Sequence, residues 1–145
     1  MSRVVCYQRS MRLAMTLLVA VASCAPSPGS ECHRDSQCSD DEVCARDDRC
    51  WLTSSVRTAE VTWTVHGMPA NTVSCGSFQD LFIEFYSGSE DIGYAPVPCR
   101  IGKFTVLNLP EPYDEVELGV DGGWTTSGWI DAQGAASFDL LFVDI

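Results

Sequence analysis

Basic side chains are scarce in this chain. Nine lysines and arginines stand against 20 aspartates and glutamates over 145 residues, a formal net charge of −11 at pH 7. Arg3, Arg9 and Arg12 fall within the first 24 residues, where there is no acid, which leaves six basic residues against 20 acids and a net −14 for the remainder. A surface of that sign repels phosphate backbones and excludes nucleic acid as a partner. It also repels anionic lipid, so any membrane attachment has to be covalent. Histidine is limited to His33 and His66, which leaves no local histidine-rich metal motif. A G-x-S-x-G nucleophile elbow and a D-x-D-x-D-G calcium loop are both missing. With no catalytic constellation to assemble, the chain reads as non-enzymatic, with no cofactor and no metal. Long apolar runs are also lacking. The longest, Leu13–Ala22, is broken by Thr16 and falls short of the roughly 20 residues that cross a bilayer. No stretch keeps a helical apolar period.

The N-terminus has the order of an export signal. A basic region is followed by that short apolar run and then by small residues. Ala20-Val21-Ala22 suits an ordinary signal peptidase. Val21-Ala22-Ser23-Cys24 resembles the lipobox of bacterial lipoproteins, in which the cysteine becomes the new, lipidated N-terminus. Cysteine parity favours the second reading. Of the eight cysteines, Cys6 leaves with the signal; ordinary cleavage keeps seven, whereas lipidation of Cys24 leaves six that can all pair. The resemblance implies a diacylglyceryl thioether and an acylated amine on Cys24, a lasting anchor at about 0.8 kcal/mol per buried methylene. Ala25 follows the cysteine where an acid would retain a lipoprotein in the inner membrane, so the resemblance further implies the outer membrane.

The chain divides into a signal peptide (1–23), a linker with lipidated Cys24 (24–31), a cysteine-rich segment (32–50) and a sandwich domain (57–145). The linker is rich in Pro, Ser and Gly. Cys32, Cys38, Cys44 and Cys50 follow a C-x5-C-x5-C-x5-C spacing with only Val43 and Ala45 as apolar residues between them. A segment of that kind cannot bury a core and needs staples, and export supplies the oxidising compartment for them. Of three possible pairings we favour Cys32–Cys44 with Cys38–Cys50, which interlocks the loops; each loop contributes on the order of 3 kcal/mol. Zinc prefers closer cysteine pairs and reduced thiols, and is disfavoured here. The segment resembles the short four-cysteine motif of surface proteins of myxobacteria and their relatives, and loosely the N-terminal cysteine module of Dickkopf proteins.

From residue 57 onward the pattern is all-β. Ala59, Val61, Trp63 and Val65 alternate with polar neighbours, ended by Gly67-Met68-Pro69. Leu81–Tyr86, Val97–Ile101, Phe104–Leu109 and Val116–Val120 read as further strands. Asp121-Gly122 marks a hairpin turn, and Trp124–Ile130 and Phe138–Phe142 follow. About seven short strands suggest an antiparallel β-sandwich. Cys75 and Cys99 are left as a natural pair, whose loop of about 25 residues contributes roughly 3.5 kcal/mol. The stretch Gly102-Lys103-Phe104, Leu109-Pro110, Tyr113 and Val116-Glu117-Leu118 resembles the G-x-F…L-P…Y-x-V-x-V pattern of transthyretin-like and carboxypeptidase-regulatory-like sandwiches. Glu111-Pro112 stands where that pattern has a glycine. The resemblance implies an accessory or adhesion-like module and no activity.

These readings point to a lipid-anchored envelope protein, a non-enzymatic interaction or structural module with an unknown envelope protein or glycan as partner. Two alternatives remain. One is a carbohydrate-binding module stacking sugars on Trp124 or Trp129. The other is a secreted soluble protein with a protease-inhibitor-like cysteine segment.

Overall fold

The computed structural model describes residues 29–142. Side chains along β3 (Val56–Val65) alternate, with Ala59, Val61, Trp63 and Val65 buried and Thr62 and Thr64 toward solvent. The period of two creates one apolar face that must be covered. In chain order, the short strands β1 (Glu42–Cys44) and β2 (Cys50–Leu52) come before β3. After it come β4 (Met68–Pro69), β5 (Asp80–Ser87), β6 (Glu90–Pro98), β7 (Lys103–Pro110), β8 (Glu115–Gly119), β9 (Thr125–Trp129) and β10 (Ala135–Leu140). Three single 3-10 turns are the only helical residues among those described. The protein is all-β.

Two four-stranded sheets face each other. In one, β3 is flanked by β10 on one side and by β4 and β7 on the other; in the second the order is β6-β5-β8-β9. Leu81, Ile83 and Phe85 of β5 and Val116 and Leu118 of β8 pack against Val61, Trp63, Val65, Val106 and Leu109 of the opposing sheet. Each such side chain, fully buried, contributes about 1.5–3 kcal/mol. The Trp63 indole N–H finds the Cys99 carbonyl at 2.8 Å, so its one polar atom is satisfied within the core.

Several expectations are refined. Pairing is antiparallel throughout except between β10 and β3, which run parallel in register from Ala135↔Glu60 to Leu140↔Val65. Non-adjacent strands that meet late in the chain are free to do this, because no hairpin joins them. The strand expected at Val97–Ile101 is instead Glu90–Pro98, and Cys99–Ile101 is a 3-10 turn closed by the Gly102 N–H on the Cys99 carbonyl. Acids, a glycine and prolines mask this strand, which pairs as an edge and buries only part of its length. Strand β3 ends at Val65, ahead of Gly67 as expected, but the residues after the turn pair back onto it. His66 (φ 50°) and Gly67 (φ 71°) form a tight turn, and Met68-Pro69 returns to pair with Thr64 and Val65. The closing strand is Ala135–Leu140 rather than Phe138–Phe142, with Phe142 buried beyond its end. The Asp121-Gly122 turn joins β8 and β9, and Gly122 takes φ 67°.

The disulfides are Cys32–Cys44, Cys38–Cys50 and Cys75–Cys99. The first two lie in the cysteine-rich segment, where β1 and β2 form a small antiparallel ribbon. That segment is not free-standing. The backbone N–H and the Nε–H of Arg46 donate to the carbonyls of Asn108 (3.2 Å) and Leu107 (3.0 Å) on β7. The stapled ribbon therefore covers part of the outer edge of β7.

Candidate functional site

Two surface features gather groups that local sequence reading left scattered. The first is an open cleft of about 370 Å³ where the stapled ribbon meets the β5–β6 hairpin, lined by Arg46, Asp47, Arg49, Glu90, Ile92 and Tyr113. Arg49 donates to both oxygens of Glu90, at 3.3 and 3.2 Å. The Tyr113 hydroxyl reaches Glu90 at 3.4 Å. Hydrogen bonding to Glu90 raises the Arg49 guanidinium above its usual pKa. Burial, reinforced by the nearby Asp47 and Glu90 charges, pushes the Tyr113 phenol up to about 12. The Trp51 indole N–H donates to Asp47 at 2.9 Å, and its buried ring supplies the apolar body that residues 32–50 lack. Asp47 and Glu90 already have donors from both sides of the cleft, so the pair works as a joint between ribbon and sandwich.

The second feature is the outer face of the β6-β5-β8-β9 sheet. Strand alternation puts Phe82, Glu84 and Tyr86 outward on β5, and Glu115 and Glu117 outward on β8. On β9 the outward residues are Thr125, Ser127 and Trp129. The registers Tyr86↔Asp91, Tyr86↔Glu115 and Glu115↔Trp129 place these four side chains in one row across the sheet. In the adjoining row Glu84 opposes Glu117. Like charges directly opposite each other destabilise a sheet, and here the Tyr86 hydroxyl donates to both carboxylates. The Glu84 hydrogen bond, then burial, raises the Tyr86 phenol above its usual pKa. Trp129 is 71% exposed.

The residues singled out by sequence fall in different places. Trp129 stands on this face, but Trp124 does not. It lies half-buried, edge-on to Phe142 at 5.9 Å, and so offers no platform for a sugar ring. His33 is exposed with its Nδ1 4.0 Å from Asp48, and His66 sits in the β3–β4 turn. The Sγ atoms of Cys32, Cys38 and Cys50 lie within 4.8 Å of one another. All three are in disulfides and offer no thiolate to a metal. Cys24 lies outside the described residues. Sequence reading used Tyr113 and Glu117 only as part of the sandwich pattern, and it did not single out Arg46, Arg49, Glu90 or the Glu84–Tyr86–Glu117 group. Only the outward phase of β5 and β8 could have signalled the last of these.

Comparison with protein-family models, with curated proteins and with solved structures gave no match.

Proposed function

We propose that the protein is a lipid-anchored cell-envelope module of the outer membrane, non-enzymatic, that binds another envelope component through its sheet surface. One observation carries this reading. All six cysteines of the folded part are paired, so Cys24 is left over once the signal is removed, as lipidation requires. Disulfides at this density belong to an oxidising compartment.

The mounting supports the same reading. The Gly29 N–H donates to the Cys50 carbonyl at 2.8 Å, and Cys50 in turn donates to Ser30 at 2.9 Å. Five steps of chain separate Gly29 from Cys24, at most about 18 Å when fully extended. A lipid on Cys24 would hold the stapled ribbon at the bilayer surface and the sandwich beyond it.

Intact mass spectrometry of the membrane-extracted protein tests this. A start at Cys24 with added acyl mass, and six cysteines that alkylate only after reduction, is the expected result. A lipid-free start at Ser23 with one thiol open before reduction would replace it with a soluble secreted protein.

The exposure of Trp129 favours a second reading, a carbohydrate-binding module. Glycan binding that is lost in Trp129→Ala would support it, and binding that survives would remove it.

A further inference from the structure

Sheet edges are unpaired backbone, and folded proteins normally blunt them. Here β6 carries Asp91, Pro96 and Pro98 along its edge, and prolines cannot donate to an added strand. The edge of β7 is covered in part by Arg46. By contrast, β9 has neither device. With its flanking residues Trp124 and Ile130 it reads Trp-Thr-Thr-Ser-Gly-Trp-Ile, with no charge and no proline.

The direction of its free groups follows from the ladder. Val120 donates to Trp124 at 2.9 Å and Ile130 donates to Asp114 at 2.8 Å. Antiparallel ladders bond alternate residues, so the even-numbered residues of β9 face β8. The N–H and C=O groups of Thr125, Ser127 and Trp129 point away from it, and no backbone group among the described residues bonds to them. These same three residues are exposed and present their side chains on the outer face.

We infer that the open edge of β9 takes an extended, lysine- or arginine-bearing segment of a partner protein as an added strand. This deepens the interaction-module reading and rests on it. Main-chain pairing with Thr125, Ser127 and Trp129 supplies affinity, and alternate side chains supply specificity. Charge complementarity selects the partner. An added strand lies about 4.8 Å from β9 and about 10 Å from β8. Its outward residues would flank Trp129 and reach toward Glu115 and Glu117, with Glu84 beyond. A cationic side chain there meets acids and an exposed indole, both of which attract it. A second copy of this chain is the poorer occupant, because its own β9 carries no basic residue and its acidic face would be brought beside an identical one.

The test pans a random nonapeptide library on the full processed chain and on its Ser127→Pro variant. Proline at 127 removes an N–H that faces away from β8, so the native ladder is kept while the docking edge is interrupted. Enriched peptides are expected to carry lysine or arginine at alternate positions. They are expected to bind Ser127→Pro at least about tenfold more weakly, and to lose affinity as salt rises. In the unmodified chain, an enriched peptide should slow amide exchange at Thr125, Ser127 and Trp129 by about tenfold or more, leaving Thr126 and Gly128 unchanged. That exchange pattern decides the matter if Ser127→Pro does not fold. Enrichment without basic residues would overturn the inference, as would equal binding to Ser127→Pro. So would glycan binding without amide protection, or a concentration-dependent dimer that protects the same amides without peptide. The lipid state of Cys24 does not enter these readouts. A failed edge leaves the anchored reading standing, and a lipid-free chain leaves the edge standing.

Discussion

Glu84 and Glu117 stand directly opposite each other on β5 and β8, and the hydroxyl of Tyr86 donates a hydrogen bond to both. A neutral phenol between two carboxylates is a good donor, whereas a phenolate there would be a third negative charge. That arrangement holds the Tyr86 proton, just as burial and the neighbouring acids hold that of Tyr113 up to about 12. Burial raises Tyr94 in the same direction.

The sign of the resulting pH dependence follows from linkage. A folded-state pKa above the unfolded value of about 10 contributes stability that is complete below pH 10 and disappears as pH rises through about 12. Ultraviolet titration of the folded protein should show little tyrosinate at pH 10, and the denaturation midpoint should fall between pH 10 and 12. Tyr86→Phe should remove one of the raised phenols from the titration. A full set of tyrosines ionising near pH 10 in the folded protein would contradict the geometry.

A Cβ on Gly134 would stand 2.2 Å from the Thr58 carbonyl oxygen, and Gly134 itself holds φ at 85°. Neither the contact nor the backbone angle suits an L side chain. Gly134→Ala should cost about 3 kcal/mol or more in chemical denaturation, since strain and overlap with backbone act together. Gly88→Ala on the β5–β6 turn, where φ is 62° and nothing lies within 4 Å, should cost only about 1 kcal/mol. Equal losses would mean that close approach to β3 does not matter.

The Cys75–Cys99 bridge ties the loop after β4 to the 3-10 turn that follows β6, and both sulfurs are buried in the core. Replacing both cysteines by serine should lower stability by about 3.5 kcal/mol from chain entropy alone, and by more because serine puts unpaired hydroxyls in the core. Replacing both by alanine should cost less. Urea unfolding of the two variants would separate these contributions.

Trp129 is the tryptophan open to solvent, whereas Trp51 and Trp63 are only 5% and 3% exposed. Acrylamide should quench a red-shifted component of the fluorescence, and Trp129→Ala should abolish it. The same change should alter stability by no more than about 0.5 kcal/mol, as at other exposed sites without special contacts. Quenching that persists in the variant would mean that Trp124 is the exposed ring.

Much of this architecture is legible in the residues themselves. Period-two alternation, turn residues and cysteine spacing are local signals, and they were enough to read an all-β sandwich with a stapled segment. Parity alone says that Trp124 and Trp129, five positions apart in the segment read as one strand, point to opposite faces. It does not say which one points inward. That depends on which face of β9 meets the opposing sheet, and only the packing of Gly128 against Phe138 and of Trp124 against Phe142 decides it. The parallel pairing of β10 with β3, the meeting of Arg49 with Glu90 and the exposure of the β9 edge are likewise matters of tertiary structure. Each depends on strands that are neighbours in space but distant in sequence. Side-chain alternation sets which residues of a strand share a face, whereas the face that is buried and the strand's lateral neighbours depend on how the whole chain closes.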